Sequence, residues 1–209
     1  MNNLKKQLVQ IGKKLSDKGL SPGFSGNLSV RFGNYFLVTP SGLPLGDFTE
    51  DDIVVIDKDF KVIDGKKKPS SESKMHLEIY KLRPDFNAII HCHAPKVSAF
   101  AVAGVELSQP VLAESIFHLG KIPVAEYFVP SSVEVAKETA KYFDKHDVVL
   151  MKNHGVVLGD KDLKSAYYKM ETVEYTADVI LNATILGGAK ELTPKQVQEV
   201  VDLRVKFGK

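Results

Sequence analysis

The spacing of apolar residues predicts helices near both ends of the chain. Close to the start, apolar residues recur every three or four positions with lysines between them, which is typical of an amphipathic helix that ends near Gly19. These residues are Leu4, Leu8, Ile11 and Leu15. A longer pattern of the same period covers residues 162–185 and predicts a long helix with one buried stripe. A last helix is expected from residue 195, after the Gly187-Gly188 break.

Shorter apolar runs between turn residues predict the strands. Gly33-Asn34 is a tight-turn sequence between two such runs, so residues 28–32 and 35–38 are expected to form a hairpin. Further strands are predicted at residues 53–56, within 57–65, and at 88–90, 122–125, 148–151 and 156–158. Helices are predicted from residue 73 to the stop at Arg83-Pro84, and at 133–143.

Histidines follow two of these apolar runs. His91 and His93 come at the end of one run, and because alternate strand side chains share a face, both rings are expected to point the same way. Cys92 lies between them and is expected to face the other side and to be buried. His154 follows a later run and could supply a third ligand. Three neutral imidazoles suit zinc, with Mn²⁺ or Co²⁺ as other divalent ions, whereas the alternative is three separate histidines satisfied by hydrogen bonds.

An acidic residue and two serines precede the helix that starts at residue 73. Hydroxyls and free amides at a helix start favour an anion, so Ser70 and Ser71 are candidate phosphate ligands. Glu72 could be a fourth metal ligand or a base beside the ion, or it could merely complement the helix dipole. If the site is enclosed, we expect burial to raise the pKa of Glu72.

Two earlier loops are rich in small residues and could also contact an anion. Asn27 lies at the end of the first loop, and Ser41 and Gly42 lie in the second. Glycines allow backbone amides to approach a phosphate closely, and the side chains add donors. The same residue types also build ordinary turns, so each loop taken alone has that simpler interpretation. The basic run Lys66-Lys67-Lys68 is similarly expected to be a solvated loop.

Composition narrows the class of protein. The 209 residues are 44% hydrophobic and 26% charged, which predicts a globular chain able to bury one substantial core. A net charge of +2 gives no indication of nucleic-acid binding. One cysteine excludes an internal disulfide and fits a reducing cytoplasm. Neither a signal peptide nor a run long enough to span a membrane is expected.

Five short motifs occur in order along the chain. They are Ser-Gly-Asn-Leu-Ser at 25–29, Thr-Pro-Ser-Gly at 39–42, Pro-Ser-Ser-Glu at 69–72, His-Cys-His-Ala at 91–94 and Asn-His-Gly at 153–155. In this order the sequence resembles the class II aldolase/adducin family, and within it the small sugar-phosphate aldolases, over about residues 23–186. The resemblance implies an α/β/α fold, one domain over residues 1–209 with a central, largely antiparallel sheet between helical layers. It also implies a homotetramer with the active site at a subunit boundary.

The resemblance further implies a reaction and roles for individual residues. His91, His93 and His154 would bind zinc, and Glu72 would be a ligand at rest and the acid or base during turnover. The substrate phosphate would contact Asn27, Ser41, Gly42, Ser70 and Ser71. The implied reaction cleaves a short ketose 1-phosphate, that of L-fuculose or a related deoxy- or methylthio-ribulose, to dihydroxyacetone phosphate and an aldehyde.

Departures from the family pattern leave a second acid or base open. Glu114 stands nearest to a position where a tyrosine acid would be expected, with a structural role as its alternative, and Tyr127 is a weaker candidate. The tail at 195–209 lacks the tyrosine that such aldolases use from a neighbouring subunit. A methylthioribulose-1-phosphate dehydratase and a ribulose-5-phosphate 4-epimerase therefore remain alternative functions, although epimerases usually carry aspartate in place of Glu72.

Overall fold

A sheet of eight strands forms the centre of the computed structural model, which describes residues 1–207. The strand order is β4-β3-β2-β1-β5-β8-β7-β6; β6 and β7 pair in parallel and the other neighbours are antiparallel. The strands are β1 (Asn27–Phe32), β2 (Tyr35–Val38), β3 (Val54–Asp57), β4 (Val62–Asp64), β5 (Ala88–Cys92), β6 (Val124–Ala125), β7 (Val148–Met151) and β8 (Gly155–Asp160). The expected largely antiparallel sheet is confirmed. Residues 208 and 209 of the predicted domain lie outside the described part.

Seven α-helices and two short 3₁₀ turns surround the sheet within residues 1–207. The helices are α1 (Asn2–Asp17), α2 (Ser73–Leu82), α3 (Pro95–Ala103), α4 (Ala113–His118), α5 (Val133–Lys141), α6 (Leu163–Ile185) and α7 (Pro194–Lys206), and the 3₁₀ turns are Glu50–Asp52 and Tyr142–Asp144. Five of the helices match the predicted ones, whereas α3 and α4 are additional. Along this part of the chain, no helix has both the length and the apolar character needed to cross a bilayer.

The helices pack in two layers because the central strands are apolar on both faces. One hydrophobic cluster joins α1, α3 and α6 to one face of the sheet, and a second joins α2 and α5 to the other. In β5, Ile90 and Cys92 belong to the first cluster and Ile89 to the second. Burial of each such aliphatic side chain contributes about 1.5–3 kcal/mol to stability. The predicted helical layers on either side of the sheet are confirmed.

The pairing register of β5 determines where the following histidines lie. All five β5 residues are buried, and the strand is paired on both sides, with β1 and with β8. A slip of one residue would exchange Ile89 and Ile90 between the two layers and turn His91 to the opposite face. His91 therefore lies on the same face as Ile89, which is the side covered by α2. Cys92 faces the other layer, as the alternation predicted.

Helix α3, which begins two residues after His93, is capped by a residue of another helix. The Glu174 carboxylate, on α6, accepts the backbone N–H groups of Lys96 and Val97, each at 2.9 Å. These are first-turn amides that have no partner within their own helix. Glu174 therefore fixes the start of α3 and limits movement of the segment that carries His93.

We expect Glu174→Ala to lower the free energy of unfolding by about 2 kcal/mol, because two amides lose a charged acceptor. Asp178 is the matched control, since it lies one turn further along α6 and contacts the same Lys96 only through an exposed ion pair of 3.2 Å. Asp178→Ala should cost less than about 1 kcal/mol. Urea unfolding of the two variants makes the comparison, and equal losses would contradict the capping role.

Candidate functional site

Three imidazoles meet where β5 and the β7–β8 hairpin end. The ligand nitrogens of His91, His93 and His154 all lie within 4.8 Å of one another. The rings pack edge to face in pairs, with centroids 4.8–4.9 Å apart. The structure thus brings together three residues that the sequence separates by up to 63 positions, as the metal-site interpretation expected.

The local backbone allows this approach. His154 lies in the turn of the β7–β8 hairpin, in which Asn153 has a φ of +55°, a conformation that asparagine tolerates better than most residues. Gly155 follows, and a Cβ there would lie 2.9 Å from Cδ2 of the His93 ring. The same Cβ would lie 2.5 Å from the backbone oxygen of Cys92, so a side chain at position 155 would displace the strand end that carries the His93 ring.

Glu72 completes the cluster from the start of α2. Its Oε2 lies 3.2 Å from Nε2 of His91, and its Oε1 lies 3.3 Å from Nε2 of His154. Oε2 also accepts a hydrogen bond of 2.8 Å from the amide group of Asn27. Asn27 is placed there by the β1–β5 register, which sets it opposite His91. Glu72 is thus directed into the site, and it makes no side-chain capping bond to α2.

The four side chains fit a divalent metal ion. Nδ1 of His91 donates to the Val156 carbonyl at 3.0 Å, so Nε2 keeps a lone pair directed at the cluster. That nitrogen faces a Glu72 oxygen, and two acceptors at such a distance are stabilised by a shared cation. Ligands about 2.0–2.1 Å from a tetrahedral ion would be about 3.3 Å apart, which matches the 3.0 Å between the Nε2 atoms of His91 and His93 and the two Glu72 distances.

Burial sets the charge of the ligands. It lowers the pKa of both His93 and His154 to about 4, with the neighbouring His91 adding to the effect. These two rings are therefore neutral near pH 7, the form that binds metals. Burial alone would raise the pKa of Glu72, but His91, His154 and Asn27 together hold it well below its usual range. The expected raised pKa is wrong, because these partners outweigh desolvation.

A cavity of about 220 Å³ opens beside the cluster. It is smaller than the cavities of about 300–1,000 Å³ that take drug-sized ligands, so it suits a small molecule. Its lining includes Glu72, His93, His154 and every residue predicted to contact a phosphate, namely Asn27, Ser41, Gly42, Ser70 and Ser71. The structure therefore brings these loops together, while their contact with phosphate stays a prediction.

Backbone hydrogen bonds hold the two serine loops side by side. The N–H of Ser41 donates to the Lys68 carbonyl at 2.8 Å, and the N–H of Ser70 donates to the Thr39 carbonyl at 3.1 Å. Gly42 follows with a φ of +78°, which a glycine adopts without strain. Serines of two loops about 30 positions apart therefore line one cavity beside the start of α2.

Two candidates from the sequence do not line the cavity. Glu114 is an exposed residue in the first turn of α4, and Tyr127 is 52% exposed in the loop after β6. Neither is among the described residues of the lining. A second acid or base at Glu114 remains a prediction.

The sequence interpretation did not identify Ser131 as a residue of the cavity. Its hydroxyl oxygen lies 2.7 Å from that of Ser71, 60 residues earlier. Ser132 could be recognised as a helix cap, since it accepts the N–H of Val135 at 3.1 Å. No local pattern, however, indicates that the loop before α5 reaches the Ser71 loop.

Comparisons with known proteins identify the family of the chain. The family model described as Class II Aldolase and Adducin N-terminal domain matches residues 6–181. The chain is 42% identical over 177 residues to the L-fuculose phosphate aldolase of Methanocaldococcus jannaschii, covering 85% of this chain and 95% of that protein. It is 31% identical over 199 residues to the 5-deoxy-D-ribulose 1-phosphate aldolase of Bacillus thuringiensis serovar kurstaki, covering 94% and 92%.

A solved structure extends the agreement to the fold. The L-fuculose 1-phosphate aldolase structure matches with a TM-score of 0.91 at 33% identity, covering 99% of this chain and 97% of that chain. The sequence resemblance is confirmed over most of the chain. The chain therefore belongs to the class II aldolase and adducin family, and it is a class II aldolase.

Proposed function

We propose that the chain is a zinc-dependent aldolase that cleaves a short ketose 1-phosphate to dihydroxyacetone phosphate and an aldehyde. The candidate substrates are L-fuculose 1-phosphate and related deoxy- or methylthio-ribulose 1-phosphates. The observation that carries the proposal is the position of Glu72, which contacts two of the three clustered imidazoles and lines the same cavity as the serine loops. The names of two relatives, which act on L-fuculose phosphate and 5-deoxy-D-ribulose 1-phosphate, support this substrate class.

His91, His93, His154 and Glu72 would hold the ion. Three imidazoles with one carboxylate are a donor set that zinc favours, and Mn²⁺ or Co²⁺ are the alternatives. When bound, the ion would supply Lewis-acid chemistry by drawing electron density from the substrate carbonyl. The Val156 carbonyl orients the His91 ring so that its Nε2 lone pair is available.

Glu72 would move the proton at the reacting carbon. Cleavage breaks the C3–C4 bond of the ketose, leaves its electron pair on C3 as an enediolate, and turns the C4 hydroxyl into an aldehyde as that hydroxyl loses its proton. C3 must gain one proton, so the proton count balances without an external acid. Because its pKa lies well below the usual range, Glu72 is ionised near pH 7, and the carboxylate is the form that can accept the C3 proton in condensation. The Asn27 amide orients the carboxylate for this task.

The serine loops would hold the phosphate end of the substrate. The hydroxyls of Ser41, Ser70 and Ser71 can donate hydrogen bonds to a phosphate, and α2 starts directly after Glu72, so the positive end of its dipole favours an anion. Binding at this end would place the carbonyl carbon beside Glu72.

A second group must accept the C4 hydroxyl proton, and Glu114 is proposed for it. A homotetramer, which could bring residues of a neighbouring subunit to the site, and a cytoplasmic location complete the proposal.

Product analysis tests the proposal. Purified, zinc-loaded protein should release dihydroxyacetone phosphate from L-fuculose 1-phosphate or 5-deoxyribulose 1-phosphate, and should condense dihydroxyacetone phosphate with short aldehydes. Identification of products by NMR separates the reactions, because loss of water without fragmentation would mean a dehydratase and inversion without fragmentation an epimerase. Either of those results would overturn the proposed reaction.

A further inference from the structure

Ser131 lines the cavity but lies on a different loop from the residues proposed to bind phosphate. It lies between β6 and α5, and its hydroxyl oxygen is 2.7 Å from that of Ser71. Both residues line the cavity beside Glu72. The contact connects two loops whose helices, α2 and α5, pack against each other in one layer.

The backbone at Ser131 is held in an uncommon conformation. Its φ is +65°, and it is one of three non-glycine residues with positive φ in the part of the chain that the structure describes. Residues persist in this region when their surroundings hold them there, and they often cluster at ligand sites. The hydroxyl of the neighbouring Ser132 caps α5 by accepting a hydrogen bond from its first turn. Ser131 alone of this serine pair is turned towards Ser71.

The number of hydroxyl protons in the contact between Ser71 and Ser131 determines how many further hydrogen bonds the pair can donate. Each serine hydroxyl has one proton, and only one of the two protons can lie between the oxygens. The other proton remains available for a further acceptor in the cavity. A hydroxyl that accepts one hydrogen bond becomes a stronger donor of the next.

We propose that Ser131 is a positioning residue of the phosphate subsite. Its hydroxyl donates to Ser71, so that the Ser71 proton is directed at an oxygen of the bound phosphate. The inference rests on the proposed function, because it assigns a partner to a serine that the proposed function places at the phosphate. On this proposal, the Ser131 side chain increases the affinity for the phosphoryl group. Other residues carry out the chemistry at the metal cluster.

Binding of inorganic phosphate to full-length, zinc-loaded protein tests the inference by calorimetry. Ser131→Ala and Ser131→Gly should both weaken phosphate binding about fivefold, since each removes one neutral hydrogen bond. The pair separates the hydroxyl from the backbone, because glycine adopts positive φ without strain and alanine does not. Ser132→Ala is the matched control, since it removes the adjacent hydroxyl and should leave phosphate affinity unchanged. Ser71→Ala combined with Ser131→Ala should bind no more weakly than Ser71→Ala alone.

The other possible results separate the role of Ser131 from the existence of the phosphate subsite. Unchanged affinity in both Ser131 variants, with normal binding by the wild-type protein, would overturn the role of Ser131 and leave the proposed function intact. A loss in Ser131→Ala that Ser131→Gly does not show would assign the effect to backbone conformation and also overturn it. If the wild-type protein bound no phosphate, the phosphate subsite of the proposed function would be rejected together with this inference.

Discussion

Replacing His93 by alanine is expected to remove both the metal and the aldolase activity. His93 is one of the three imidazoles whose ligand atoms lie within 4.8 Å of one another, and it also borders the cavity. Without it, two imidazoles and a carboxylate remain, and loss of a ligand commonly costs far more than the 10–100-fold drop in metal affinity caused by losing an outer partner. Elemental analysis of purified protein should find about one zinc per wild-type chain and almost none in the variant, and turnover should fall at least a thousandfold.

His146→Ala is the matched control for this prediction. His146 lies outside the cluster, where its Nδ1 contacts the Lys121 carbonyl at 2.9 Å. This variant should therefore keep its metal and its activity. Near wild-type turnover in a metal-free His93→Ala protein would show that the reaction does not take place at the three-histidine site.

Glu72→Gln is expected to keep the metal and to lower kcat about 10²- to 10⁴-fold, the contribution typical of a positioned acid or base. Glutamine has nearly the same shape, and its carbonyl oxygen can still accept the amide hydrogen of Asn27, which now lies 2.8 Å from Oε2. It cannot accept a proton at neutral pH, because an amide lacks the basic carboxylate oxygen. The three imidazoles remain to hold the ion.

A direct measurement of proton transfer separates this role from binding. Wild-type protein incubated with dihydroxyacetone phosphate in D₂O, without an aldehyde, should exchange one carbon-bound hydrogen, and Glu72→Gln should not. Glu78→Gln provides the control on the same helix, since Glu78 pairs with Lys81 at 2.7 Å on the outside of α2. Wild-type exchange rates in Glu72→Gln would show that another group removes the proton.

The fold could be predicted where the hydrophobic period was unmistakable. The repeat from Leu4 to Leu15 and the short runs around β5 and β7 each indicate one type of element, and the structure confirms them. Helix α3 was missed because residues 95–103 hold only two polar side chains, Lys96 and Ser98, which are too few to show a helical period beside the buried Val97, Phe100 and Ala101. Its Pro95 is the one local signal, since proline is common in the first turn of a helix.

The site was predictable to the extent that its residues form local motifs. The pair His91 and His93 follows from strand alternation. His154 could be proposed as a third ligand because it also follows an apolar run, and Glu72 as a fourth because it precedes a helix, but no local pattern shows that these residues meet the pair. The contact between Ser71 and Ser131 depends on the packing of α2 against α5 and has no local signature. The pKa of Glu72 was predicted in the wrong direction because burial could be expected from the sequence but the distances to its partners could not.

The position of Cys92 has a practical consequence. This one cysteine of the chain is fully buried among apolar side chains on the opposite face of β5 from the imidazoles, and burial raises the pKa of its thiol. The thiol therefore stays protonated and shielded from oxidants and alkylating reagents. Chelation and reloading of the ion can be carried out in air, in buffers free of dithiothreitol and similar reductants, whose own sulfur atoms would otherwise compete for zinc.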